Sequence, residues 1–142
     1  MNSIITLRTG NPATFSTNNC VGSYSKCLPD LTGPVGAPSG GRSAAQWFNT
    51  SVVKAPAPNT QGNAGLQSFN IPGQHFMDLS FFKAVNMTER FKMQFRAEGF
   101  NITNSVQLGG PNATQGDPNF GKILSSQGGT ERKFQMALRF MF

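Results

Sequence analysis

The residues that could do acid–base, nucleophilic or metal chemistry in this chain are few and far apart. His75 is the only histidine, Asp78 lies three positions on, and serines are plentiful, so a Ser-His-Asp device can be drawn. Such a device needs its serine on a sharp strand-to-helix turn, and no G-x-S-x-G stretch provides one. His75 therefore reads as a residue entering a strand. The six carboxylates include Asp78 and Glu98, which a paired-carboxylate glycosidase would need flanking a scissile bond. Both fall on polar strand faces close to Lys92 and Arg96, so ion pairing along a strand is the simpler reading. Cys20 and Cys27 stand in C-x6-C spacing within a polar stretch. Zinc would require two further ligands, and His75 is remote. A short-range disulfide in an oxidising compartment is the reading that remains, and closing so short a loop stabilises by roughly 2–3 kcal/mol. Gly109-Gly110 and Gly128-Gly129 lack the strand-to-helix setting of a phosphate loop. No catalytic residue, metal site or cofactor is assigned.

The elements that would have to position a site are legible in the composition. Charged residues make up 13% of the 142 residues, about half the ~25% of an ordinary soluble domain. Hydrophobic residues reach only 37%, and Phe supplies 13 of them against one Trp and one Tyr. Gly, Pro, Asn, Ser, Thr and Gln fill the rest, which is the chemistry of turns, loops and polar β surfaces. The net charge is +6, but Lys and Arg are scattered singly apart from Arg132-Lys133. Without a basic run or interleaved aromatics, a nucleic-acid partner is not expected. No apolar run approaches the length of a membrane-spanning helix, and the first residues, Met1 to Arg8, do not read as a signal peptide. If the protein is exported, its export information is not at this N-terminus, and the chain then reads as a fragment.

Two regions follow. Residues 1–75 read as a short strand over residues 4–8 and then a long Gly/Pro-rich surface loop region, with too few apolar residues to build a core alone. Residues 76–142 alternate. Phe91, Met93, Phe95 and Ala97 interleave with Lys92, Gln94, Arg96 and Glu98, a period of two with charge on one side only. As a helix, the same stretch would set Lys92 and Arg96 on one face and spoil the apolar stripe. Met77, Leu79, Phe81, Val85 and Met87 likewise share a face, which Lys83 interrupts. Short strands are expected at Ser105–Leu108 and over 120–126, with turns at 86–89 and 127–130. The final segment is the most regular: Phe134, Met136, Leu138, Phe140 and Phe142 take every second position to the end. In a soluble protein so apolar an edge invites aggregation, whereas a transmembrane barrel requires the alternation, because lipid-facing and lumen-facing residues take turns.

The terminal strand ending in Phe142 resembles the signal by which bacterial outer-membrane barrels are recognised for assembly. Other stretches sharpen the likeness: Trp47-Phe48-Asn49-Thr50, Ala55-Pro56-Ala57-Pro58-Asn59-Thr60, Ile71-Pro72-Gly73, Asp78-Leu79-Ser80-Phe81-Phe82-Lys83, Thr88-Glu89-Arg90-Phe91, Gln94-Phe95-Arg96-Ala97-Glu98 and Asn119-Phe120-Gly121-Lys122-Ile123. Together, over roughly residues 42–142, they resemble the C-terminal region of TonB-dependent-receptor-like proteins, specifically the Oar-like receptors that carry a carboxypeptidase-regulatory-like domain. The resemblance implies an all-β fold, the antiparallel strands of a transmembrane β-barrel C-terminal sector with long Gly/Pro/Asn-rich loops. It implies a bacterial outer-membrane location, and a structural role in a receptor or transporter as barrel wall and assembly signal. Its partners would be outer-membrane lipid, the barrel-assembly machinery, and the rest of the parent barrel or further copies of the chain. A few strands cannot close a barrel, and an open sheet in lipid leaves backbone groups unpaired. The alternative is a small soluble β-rich binding module, or a hydrolase, derived from a barrel reading frame.

Overall fold

A computed structural model of the chain describes residues 1–19, 27–128 and 131–142. Its strands in chain order are β1 (Asn2–Arg8), β2 (Pro12–Ala13), β3 (Ser16–Thr17), β4 (Asp30–Leu31), β5 (Val53–Lys54), β6 (Phe69–Asn70), β7 (Gln74–Asn86), β8 (Lys92–Phe100), β9 (Thr114–Gln115) and β10 (Lys133–Met141). One 3-10 turn, Thr50–Val52, is the only helical element among the described residues, and it is capped by the Asn49 side chain accepting from the Ser51 amide. The fold is all-β. The chain divides into two compact units, each discontinuous in sequence. One comprises Met1–Arg8, Gln74–Gln107 and Gln127–Phe142; the other comprises Thr9–Gly73 and Leu108–Ser126. A boundary at residue 75 therefore does not describe the molecule, because β1 belongs with the sheet and 108–126 with the long loop region.

The first unit is a four-stranded antiparallel sheet in the order β1-β7-β8-β10. β7 and β8 form a hairpin whose turn is closed by the Met87 amide donating to the Phe91 carbonyl at 2.8 Å, while Thr88 Oγ1 accepts from the Phe91 amide at 3.1 Å. The long strand β7 is shared unequally between its neighbours. β1 pairs with Gln74–Ser80 and β8 with Leu79–Asn86, so the two partners overlap only at Leu79 and Ser80. Such a stagger is the signature of strands tilted across a curved sheet.

Where β8 no longer reaches, other groups satisfy the β7 backbone. The Ile102 amide donates to the Met77 carbonyl at 2.8 Å. The fully buried carboxamide of Gln107 donates to the His75 carbonyl at 2.8 Å and accepts from the His75 amide at 3.3 Å. One side chain thus imitates a strand partner, since buried backbone donors and acceptors must be paired. Ser105–Leu108 was expected as a strand. Instead Leu108 forms an isolated bridge to Ser126.

The second unit holds the buried core. Phe15, Phe48, Val53 and Phe69 are buried together, with Trp47, Ile71, Ala113 and Phe120 packed against them. Phe15 stacks on Phe69 at 4.5 Å between ring centroids and meets Phe48 edge-on at 4.9 Å; Phe48 meets Phe120 at 5.2 Å. The first 70 residues are expected to build scarcely any core alone; in the structure Phe15, Phe48, Val53 and Phe69 from that stretch converge, and Ala113 and Phe120 from beyond it pack against them. Three two-residue ladders, β2–β6, β4–β5 and the parallel β3–β9, hold the loops around them. Side chains extend these ladders. Asn63 accepts from the Leu31 amide at 2.7 Å and donates to the Leu31 carbonyl at 3.3 Å. Trp47 Nε1 donates to the Asn70 carbonyl at 2.7 Å. The loop also needs glycine for clearance: a Cβ on Gly10 would lie 1.6 Å from the Ile71 carbonyl oxygen, and one on Gly62 2.2 Å from that of Pro29.

Candidate functional site

The candidate functional surface of the first unit is one face of its sheet. Directly paired residues on neighbouring strands share a face, so the register sorts the side chains. Phe134, Met136, Leu138 and Phe140 lie opposite Gly99, Ala97, Phe95 and Met93. These in turn lie opposite Leu79, Phe81, Lys83 and Val85, and β1 adds Ile5 beside Met77. The other face carries Gln135 with Glu98 and Ser80, Arg139 with Gln94, and Met141 with Lys92. Phe76, Phe82, Ile4 and Phe100 are large apolar exceptions there, just as Lys83 is the charged exception on the apolar face.

The apolar face is uncovered. Phe134 is 68% exposed, Met136 74% and Phe140 59%. At roughly 150–250 Å² per aromatic side chain, about half exposed, the face leaves on the order of 1,000 Å² of apolar surface. The largest patch on a soluble monomer is about 300–600 Å². A sheet that hides its aromatics from water would bury them against a second layer, and this face has none among the described residues. Strand lengths agree. β8 and β10 have nine residues each and β7 has 13, against the ~9–11 that a tilted transmembrane strand needs. No helix among the described residues is long and apolar enough to span a membrane.

The two ends of the sheet differ. The Met87–Phe91 turn closes one end, where the Phe91 and Phe142 rings approach to 6.4 Å. From the opposite end leave both long connections, β1 to β7 and β8 to β10. At that end Phe134 covers Gly99: a Cβ there would lie 2.7 Å from Ile102 Cγ2 and 3.0 Å from the Phe134 ring. An aromatic laid over a cross-strand glycine restores packing that the glycine lacks. A shallow apolar groove lined by Leu79, Phe81, Ala97 and Met136 continues from it.

His75 lies in β7, and its backbone is held by Gln107. Asp78 accepts from the Asn101 amide at 2.8 Å and so anchors the turn after β8. Glu98 pairs with Arg96 at 2.6 Å along the same strand face. The structure does not bring these carboxylates and His75 into a shared hydrogen-bonded device among the described residues. Cys27 is half-buried and disulfide-bonded, while Cys20 lies outside the described residues. So do residues 129 and 130 of the expected turn before β10. The terminal series Phe134, Met136, Leu138 and Phe140 runs along β10 at the sheet edge, and Phe142, beyond its end, is 96% exposed. Three things escaped the sequence reading: the pairing of β1 with β7, the strand-mimicking amide of Gln107, and the aromatic cluster of the second unit. A signal for the last existed in the isolated Phe15, Phe48 and Phe69, each flanked by turn-forming residues.

A search of curated proteins found no match, and neither did a search of solved structures. A family model described as an outer membrane beta barrel domain matches residues 1–135. With nearly the whole chain covered and an exposed apolar sheet of membrane-spanning length, the chain belongs to the outer membrane beta barrel domain family and is an outer-membrane protein.

Proposed function

We propose that the chain is the closing wall sector of a TonB-dependent-type receptor or transporter, and that its last strand is the signal for insertion by the barrel-assembly machinery. The observation that carries the wall role is the register of β7, β8 and β10, which collects Phe81, Phe95, Met136, Leu138 and Phe140 on one uncovered face and Gln94, Arg96, Glu98 and Arg139 on the other. The receptor identity is supported by the sequence resemblance over residues 42–142. In barrels of this kind periplasmic turns are short and surface loops long. The Met87–Phe91 turn then faces the periplasm and the two long connections face outward. Phe134, Met136, Leu138, Phe140 and Phe142 would meet lipid and the assembly machinery, and the outer edges of β1 and β10 would meet the rest of the parent barrel. The test is expression of the parent reading frame with and without Phe142, followed by outer-membrane fractionation and protease accessibility of an epitope in the 108–126 connection. Surface-exposed epitope in the intact protein and its loss on deleting Phe142 supports the proposal. A soluble, water-dispersed product from either form would overturn it in favour of a soluble binding module.

A further inference from the structure

The apolar face is not evenly filled. In the two rows nearest the long connections its middle positions, on β8, are Gly99 and Ala97, whereas the flanking positions are Leu79 and Phe81 on β7 and Phe134 and Met136 on β10. Small residues between large ones leave a trough along β8, with a volume of about 160 Å³. Over these rows β8 is paired on both sides, so floor and walls all belong to described strands. Toward the connections, Ile102 and Phe134 close over Gly99. In the other direction Phe95 takes the middle position and the trough stops.

An apolar cavity of about 150 Å³ takes a benzene ring, so this trough has room for about six carbons of a hydrocarbon chain. Lipid tails are as apolar as leucine, and an apolar lining alone therefore draws no particular molecule out of a bilayer. An unfilled trough does leave its walls short of contact partners. A chain lying lengthwise over Ala97 restores them.

The trough also has a cation at one end. Arg132 lies one row beyond Phe134, and its guanidinium carbon stands 5.9 Å from the centroid of the Phe134 ring. Its neighbour Lys133 begins the polar face and pairs with Glu131 at 3.7 Å. Arg132 sits just outside β10, at the level where an arginine on the lipid side costs little. Its planar fork of donors matches the oxygens of a phosphate. At about 6.8 Å per row, the Gly99 and Ala97 rows lie about 7 to 14 Å from it along the strand, where the first carbons of an acyl chain run when the headgroup is held at Arg132.

We propose that this trough is a lipid-binding site, which seats the first carbons of one acyl chain while Arg132 holds the phosphate of the same lipid. The inference rests on the barrel-wall reading, because only a membrane-facing sheet meets such a lipid.

The test titrates the full chain, in micelles of an uncharged detergent, with dioleoyl phosphatidic acid and counts bound lipid by native mass spectrometry. Dioleoylglycerol has the same chains without the phosphate, and glycerol phosphate has the phosphate without the chains. One phosphatidic acid should bind per chain, with dioleoylglycerol about tenfold weaker, the factor for one charge-assisted contact. Arg132→Gln should erase that difference. Ala97→Leu, which fills the floor, should weaken both lipids about tenfold, and Met136→Trp, which narrows the trough from its exposed wall, is the second variant should the first not fold. Arg90→Gln, in the turn at the far end, should change neither. Equal binding of the two lipids, unchanged binding in both trough variants, an Arg90→Gln loss equal to that of Arg132→Gln, or glycerol phosphate binding as tightly as phosphatidic acid would overturn the inference. Flotation of the unmodified chain with phospholipid vesicles reads the wall role separately: failure to float sinks that role, whereas flotation without lipid selection sinks only the site.

Discussion

Replacing Phe48 by Ala should unfold the second unit while leaving the sheet's exposed apolar face intact. Phe48 is 1% exposed, and its ring meets Phe15 at 4.9 Å, Phe69 at 5.0 Å and Phe120 at 5.2 Å. Truncating a buried Phe costs about 3–5 kcal/mol, and each lost ring pair adds to the area term. The expected loss is therefore about 4–5 kcal/mol, comparable with the whole stability of a small unit. Trp47 is the only tryptophan; it packs against this cluster, and its indole donates to Asn70. Its emission during urea titration in mild detergent consequently reports this unit alone. Phe48→Ala should remove the cooperative transition or shift its midpoint far down. Phe140→Ala, on the exposed sheet face, should shift it by less than about 0.5 kcal/mol. A Phe48→Ala transition within about 1 kcal/mol of wild type would refute the assignment of the core to this cluster.

Three further outcomes are expected. In the full-length parent, deleting Phe142 should sharply reduce outer-membrane insertion while Phe95→Ala reduces it mildly; equal insertion of the Phe142 deletion and wild type would count against an assembly signal in the last strand. Cys20 and Cys27 should resist alkylation in protein prepared without reductant, and mass analysis showing two modified thiols would remove the disulfide. Gln107→Leu should leave the His75 amide and carbonyl unpaired at a cost of about 1–3 kcal/mol, read as faster hydrogen exchange at His75 with little change at Phe95, which β10 pairs.

The sequence alone determined which segments of the sheet are strands and which side chains share a face. That information is local: in an extended chain every second residue points the same way, so Phe91 to Ala97 and Phe134 to Phe142 declare their apolar side without any knowledge of neighbours. It also prompted the membrane reading, because an edge strand as apolar as Phe134 to Phe142 invites aggregation in water, whereas a barrel wall requires it. Tertiary structure decided the rest. The union of β1 with β7 spans a 65-residue gap and rests on backbone pairing that Ile4, Ile5 and Leu7 cannot announce by themselves. The second unit's core gathers Phe15, Phe48, Phe69 and Phe120 from four separate stretches. No periodicity links them, since each belongs to a turn-rich segment whose direction is set by distant ladders. Gln107 and Asn63 make the same point in polar form. Their amides act as strand partners, and only the fold brings the unpaired backbone of His75 and Leu31 within reach. Alternation is a property of a chain in isolation; convergence is a property of where the chain returns.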